Sequence, residues 1–329
     1  YPMYMGGLFK STSLLVGNHT GYSVNFENVK ITANSRSWFN NEMREMMKKF
    51  KPGNINTDML KRISSKNVAA VIAMNYPPEG VKEFLKLFGV DGLINGLIGA
   101  IDLSIDDFVK AQKGDMLLVI SDFLVKDKAM DFGDTENPDL SFSSPQPDAG
   151  ILFALSINDK NSFDKIAKVV ESEISKNEMP DDVSKIKSTV KDNWLIVGNS
   201  REIVEGFAAG NKTDHDFISK ISGHPMGFYI DLQKIFGGIQ TKDAVDFQKV
   251  LSGEGKIWDN IIAYGGEMKD DAMTSHFEIN MIDKNTNSLK QFFHFLNFMA
   301  KTIKSVTENN GVHREYPALD SVIVNSEVQ

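Results

Sequence analysis

The chain contains no cysteine. Disulfides, thiolate nucleophiles and cysteine-ligated metals are therefore excluded outright, whatever compartment the protein occupies. Histidine is scarce as well: the six are His19, His215, His224, His276, His294 and His313, and no two stand three or four positions apart. A helical metal pair of the HExxH kind is thereby missing, and ligands gathered from distant positions are the only histidine site left open.

Other signatures are missing too. There is no G-x-S-x-G elbow. The S-x-x-K matches Ser162 with Lys165, Ser184 with Lys187, and Ser188 with Lys191 lack the S-D-N and K-T-G partners that supply the proton relay and hold the substrate carboxylate. Neither GxxxxGK[ST] nor GxGxxG occurs; Gly253-Glu254-Gly255-Lys256 comes nearest, with Ile257 where Ser or Thr should stand. The most apolar stretch, Phe84 to Leu103, is broken by Lys86, Asp91, Asn95 and Asp102, whereas a membrane-spanning helix needs about 20 nearly uncharged residues. Blocks of like charge are also absent. Lys and Arg number 36 against 44 Asp and Glu, a net charge of -8 with both signs interspersed, so the surface repels phosphate backbones and nucleic acid is set aside as a partner.

What is present describes a folded protein. Hydrophobic residues make up 41% of the 329, including 22 phenylalanines and 15 methionines, enough apolar surface to bury a substantial core. That length predicts about two domains. The stretch Asp131 to Asp148, with Pro138, Pro145 and Pro147 among acidic and serine residues, reads as a linker unable to sustain a strand or a helix. It divides an N-terminal α+β domain, 1–140, from a C-terminal α+β domain, 141–329, that ends in a long amphipathic helix.

The opening reads as short strands, Leu14 to Val16, then Tyr22, Val24 and Phe26 in alternation, then Val29 to Ala33. A helix follows with Phe39, Met43, Met46 and Phe50 on one face and Ser35 and Ser37 as caps; its methionines are core filler. Thereafter one grammar recurs three times. An apolar strand is closed by Asn or Asp, an amphipathic helix follows, and Asp or Asn introduces a second strand. Val68–Met74 is closed by Asn75 and answered by Met116–Ile120 after Gly114-Asp115. Ile151–Ile157 is closed by Asn158 and answered by Trp194–Val197 after Asp192-Asn193. Met226–Ile230 is closed by Asp231 and answered by Ile261–Tyr264 after Asp259-Asn260. No such unit can bury its own strand faces and helix stripe, so the units must share sheets. The expected fold class is α+β, with repeated strand-helix-strand units forming mainly antiparallel sheets on which helices pack. After the hairpin Ile261 to Asp283 comes the helix Asn287 to Val306. Leu289, Phe292, Phe293, Leu296, Met299, Ala300 and Ile303 stripe it, and Phe295 and Phe298 widen the stripe so that more than one neighbour must cover it.

Four local clusters invite chemistry. Asp106 and Asp107 are adjacent and point apart, as first-turn acids of a helix capped by Ser104; Asp270 and Asp271 read as a solvated turn. Asp127, Asp131, Asp134, Glu136 and Asp139 are rich in oxygen but lack the calcium-loop register D-x-[DN]-x-[DN]-G. Leu93 to Ala100, broken by Gly96 and Gly99, either lines an apolar pocket or packs closely through its glycines. No catalytic, cofactor-binding or metal-binding residue is assigned on these grounds, and no cofactor is implied.

The recurring unit, with its strands GDMLLVIS and DNWLIVGN, resembles the Bacteroidetes lipoproteins grouped as domain of unknown function 4836, over about Lys66 to Val306. That resemblance implies an extracytoplasmic protein, lipid-anchored to the cell envelope through a cysteine upstream of Tyr1, with no membrane contact otherwise. It supplies no catalytic residues. The expected function is a non-catalytic envelope module binding a partner protein or small ligand. One alternative is a hydrolase whose site forms only in the fold, around His224 and neighbouring carboxylates; another is a carrier of an apolar ligand near Leu93 to Ala100.

Overall fold

The computed structural model describes residues 14–131, 141–176, 186–241 and 256–309. Strands β1 (His19–Phe26) and β2 (Lys30–Trp38) form the opening hairpin. Leu14 and Leu15 lie in a helical turn rather than a strand, with Leu14 buried. Ser35 and Ser37 belong to β2 and do not cap the next helix, because the strand continues through them: the Ser35 hydroxyl meets that of Ser275 across the ladder at 2.5 Å. The cap is Asn40, whose side chain accepts from the Met43 amide at 3.0 Å and starts α1 (Asn41–Lys49). After α2 (Thr57–Lys61), β3 (Val68–Asn75) leads through α3 (Pro78–Leu87), α4 (Asp91–Gly99) and α5 (Ile105–Ala111) to β4 (Gln112–Asp131). β5 (Ser141–Ile157) leads through α6 (Lys160–Lys176) and β6 (Lys187–Lys191) to β7 (Trp194–Gly198). Beyond α7 (Arg201–Ala209) and α8 (Ile218–Ile221), β8 (Met226–Asp231) leads through α9 (Leu232–Gly238) and β9 (Ile239–Gln240) to β10 (Trp258–Lys269). β11 (Ala272–Met281) and α10 (Ser288–Asn309) complete the described chain.

The fold is α+β, as the alternation of strand and helix patterns predicts. The eleven strands among the described residues belong to one sheet, ordered β1-β2-β11-β10-β8-β3-β4-β5-β7-β6, with every pairing on that path antiparallel and β9 added in parallel beside β4. Each repeated unit places its two strands side by side: β3 with β4, β5 with β7, β8 with β10. In the first and third units the punctuating Asn and Asp residues meet across these ladders. Asn75 lies opposite Asp115 and donates to its carboxylate at 2.7 Å, and Asp231 lies opposite Asn260. Asp192 and Asn193, both at positive φ, form the tight turn between β6 and β7. The third unit docks on the first through β8 and β3.

Part of the expected linker is a strand. Ser141 to Asp148 pairs with β4 from Leu124 to Asp131, Pro145 opposite Asp127 and Pro147 opposite Val125. Two residues apart, these prolines turn their nitrogens to the same side of the strand. β7 pairs with β5 only between Leu152 and Ser156, so the proline-bearing stretch has one open edge, where a missing N–H is tolerated. The expected domain boundary at residue 140 lies outside the described residues, between two strands that pair with each other, and strands from both sides of it share the sheet.

One sheet face carries the main core, and a smaller cluster of Ala111, Ile157 and Phe163 with Leu195 is separate from it. Met59 and Leu60 of α2, Phe207 of α7 and Ile221 of α8 pack on Val71, Leu117, Leu152 and Ile196. Two rows of that face run laterally from the core to the far strands. One passes from Val71 through Tyr229, Ile262 and Glu278 to Thr32; the next passes from Ala73 through Gly227, Tyr264 and His276 to Asn34. Each row is apolar at β3 and polar by β11, so the core gives way to a polar surface on the same side of the sheet. Helix α10 lies nearer the other end of β10: Trp258 meets Phe292 and Phe295 edge-on at 6.2 and 5.4 Å, while Leu289, Phe293 and Leu296 stay exposed.

Candidate functional site

Polar rows at the edge of a core become a site where the strands stop being regular. On β10, Gly265 faces Ser275 and Glu267 faces Thr274, so Gly266 is an extra, unpaired residue. Such a bulge reverses the inside-outside alternation that follows it. Without it Glu267 would point away from Tyr264; with it, the carboxylate shares the face of Tyr264, Thr274 and His276. Glycine is required for the geometry. Gly265 and Gly266 adopt φ of 152° and 99°, and a Cβ on Gly265 would stand 2.5 Å from the Thr274 carbonyl oxygen.

His224 approaches Glu267 from the loop before β8. Its backbone is fixed on both sides, since the Ile55 amide donates to the His224 carbonyl at 2.8 Å and the Asn75 amide donates to that of Pro225 at 2.8 Å. The His224 Nδ1 is hydrogen-bonded to the Glu267 carboxylate. An imidazole held in that way donates from Nδ1 and keeps Nε2 as its acceptor. Its ring stacks on Tyr264 at 4.1 Å, and Tyr264 in turn lies 4.8 Å from His276, giving three rings in a ladder along the face. Gly227, the neighbour of Tyr264 on β8, makes room for the core: a Cβ there would stand 2.5 Å from Ile221 and 3.0 Å from Ile55.

Below the ladder sits a buried charge. Glu278 is 3% exposed and is bound by Lys30 at 2.6 Å, with the His276 Nε2 at 3.6 Å and Lys220 at 3.9 Å. Burial raises the Glu278 pKa, but the Lys30 hydrogen bond and positive charge outweigh it and hold the carboxyl below the ordinary range. The same bond raises Lys30. Burial, followed by the charge of Glu278, pushes the Tyr264 phenol up; burial, followed by Glu267, does the same to Tyr76.

His224, Tyr264, Glu267 and His276 border an open groove of about 530 Å³, lined also by Asn34, Arg36, Lys269, Asp270 and Thr274. His276 Nδ1 lies 2.7 Å from the Asn34 side-chain oxygen. The groove presents donors and acceptors of both charges beside flat rings. Among the described residues, neither His224 nor His276 is hydrogen-bonded to a serine or threonine hydroxyl. His224 and a neighbouring carboxylate, the loose pair read from the sequence, do come together. The sequence gives no sign that Tyr264, His276, Glu278 and Lys30 join this site, although Gly265-Gly266 inside a strand pattern is the local sign of a bulge.

The other sequence candidates are dispersed. His19 stacks on Trp38 at 4.9 Å and His215 on Phe217 at 5.2 Å, while His294 is exposed on α10 and His313 lies outside the described residues. Asp107 closes a capping box with Ser104, and Asp106 pairs with Lys82. Asp270 and Asp271 form a positive-φ turn, with Lys48 2.7 Å from Asp271. Lys165, of the first S-x-x-K match, binds Asp107 at 3.0 Å instead of serving Ser162; Ser188 and Lys191 lie on β6, and Ser184 is outside the described residues. Asp134, Glu136, Asp139 and Gly253-Glu254-Gly255 are outside them as well. Among the described residues no three His, Asp or Glu side chains gather as a metal site, and no helix is long and apolar enough to cross a membrane. Helix α4 buries none of its residues; Leu93 and Leu97 face solvent, and nothing lies within 4 Å of a Cβ built on Gly92, Gly96 or Gly99, so these glycines serve no close packing. No family model matches the chain, and neither a curated protein nor a solved structure is significantly similar to it.

Proposed function

We propose that the protein is a non-catalytic binding module whose groove along His224, Tyr264 and His276 takes a polar ligand rich in hydroxyl or amide groups, such as a glycan or an extended peptide. The observation that carries this reading is the lining itself: Asn34, Arg36, Glu267 and Thr274 supply converging donors and acceptors around a ring ladder, in a groove open along its length. Native mass spectrometry of protein purified from its own host tests it. A co-purifying glycan or peptide, lost from His224→Ala and Arg36→Ala variants that keep the wild-type circular dichroism, is the expected result; a ligand retained by both variants overturns the assignment to this groove.

One observation favours a second reading. A carboxylate that fixes an imidazole tautomer is the arrangement by which a general base is oriented, so the His224–Glu267 pair supports a hydrolase that activates water directly. Turnover of ester, glycoside or peptide substrates by the wild type, abolished in His224→Ala and reduced in Glu267→Gln, would replace the binding reading with this one. The family resemblance supports an envelope location through an N-terminal lipid anchor, which fractionation of host cells tests.

A further inference from the structure

The two edges of the sheet are unlike in chemistry. β6 carries lysine at both ends, Lys187 and Lys191, and charge of that kind blunts an edge against further pairing. β1, His19-Thr-Gly-Tyr-Ser-Val-Asn-Phe26, has no Lys, Arg, Asp, Glu or Pro, and every one of its eight residues is exposed, Tyr22 at 75% and Val24 at 55%. It is a straight eight-residue ladder with β2 on one side, lacking a strand partner on the other among the described residues, and its alternate positions Tyr22, Val24 and Phe26 are apolar.

We propose that β1 is the self-association surface of this protein, pairing antiparallel with β1 of a second copy about a two-fold axis through Ser23. The register follows from the residues. In an antiparallel pair related by a two-fold axis at Ser23, partner positions sum to twice that number. Tyr22 then faces Val24 of the other copy and Thr20 faces Phe26, the aromatic and β-branched cross-strand pairs that stabilise ladders. One step beyond the strand, Glu27 of each copy faces His19 of the other, an acceptor opposite a potential donor at both ends. The same operation on β6 sets Lys187 against Lys191 at both ends, so the opposite edge repels its own copy. Charge therefore admits a second copy at β1 and refuses one at β6.

The absence of cysteine makes the test direct. In the full chain, Ser23→Cys places two sulfurs at the axis, within the Cα separation a disulfide spans, while Asn25→Cys faces Gly21 and finds no partner. Under mild oxidation Ser23→Cys is expected to give a covalent dimer and Asn25→Cys a monomer. Sedimentation of the unmodified chain is expected to show a concentration-dependent dimer, dissociated at least tenfold more readily by Val24→Lys and unaffected by Val190→Lys on β6. Both lysines are introduced at exposed positions, and circular dichroism confirms that each variant folds. A chain monomeric at all concentrations, equal cross-linking at positions 23 and 25, or a dimer indifferent to Val24→Lys overturns the proposal. So does a monomer whose β1 amides resist hydrogen exchange, because the edge would then be filled by another segment of its own chain.

Discussion

At the scale of single residues, the pair of half-buried Lys30 and buried Glu278 sets the pH response of the polar rows. Glu278 is held below its ordinary pKa, so the stability it contributes is present above the usual carboxylate range and is lost as pH falls through its folded value. Lys30 is raised, so its contribution is complete below the usual lysine range and is lost as pH rises through its own folded value. Urea unfolding should show a plateau across neutral pH, with a fall in acid that belongs partly to this pair. Lys30→Met strands a buried carboxylate and should cost about 3 kcal/mol at neutral pH. It should also flatten the acid fall, since burial alone raises the Glu278 pKa; an unchanged acid slope would remove the pair as its source. Lys30→Met combined with Glu278→Leu should recover most of the loss, because an apolar pair needs no mutual neutralisation. Gly265 is the other decisive residue. Gly265→Ala forces a Cβ against the Thr274 carbonyl at an unfavourable φ and should cost about 2 kcal/mol. Any ligand that needs Glu267 beside His224 should bind more weakly in that variant, read by titration calorimetry.

Elements obey local rules more closely than the site does. Asn40, Asn56 and Ser104 cap α1, α2 and α5 through side-chain oxygens, and the Asn and Asp residues that punctuate the first and third units fall opposite one another in the ladders. The Ser104 cap and the Asn and Asp punctuation were legible because a cap or a tight turn is decided within four residues; the Asn40 cap was not, because Ser35 and Ser37 look equally able to cap until β2 runs through both of them. The strand nature of Ser141 to Asp148 was not, because it depends on β4 supplying a partner on one side only. Helix α10 shows the same limit: its hydrophobic stripe was visible, yet which arc is buried depends on Trp258, from β10, meeting Phe292 and Phe295. The groove was the least legible feature. His224 stood out as a residue type, but its partners come from three strands and a bulge that only pairing brings into one face. Helix α4 gives an element-scale prediction. Gly96 sits mid-helix with open space around its Cα, so Gly96→Ala should raise stability by about 0.5–1 kcal/mol in urea melts. A destabilised variant would mean that a partner backbone approaches α4 in the folded protein.

For the whole molecule, the strand order matters more than the chain order. β1 and β2 lie at one end of the sheet and β3 and β4 near its middle, with β11, β10 and β8 between them. A fragment covering residues 14–131 therefore holds two strand pairs, the β1–β2 hairpin and β3 with β4, that do not touch as strands, and β3 loses the β8 partner against which Val71 and Ala73 align with Tyr229 and Gly227. It also loses α7 and α8, whose Phe207 and Ile221 cover the core face. Isolated two-stranded hairpins are marginal in water. The fragment should show little near-ultraviolet circular dichroism and no cooperative unfolding transition. Adding a separately expressed 141–309 fragment should restore both, because β11, β10 and β8 then bridge the two strand pairs. In the intact chain the same order predicts the pattern of amide exchange: β3, β4 and β8, flanked by neighbours on both sides, should exchange only through global unfolding, and β6 should exchange by local opening. A 14–131 fragment that unfolds cooperatively on its own would show instead that residues before 140 close a core without β8, and that the continuous sheet joins two independently stable halves.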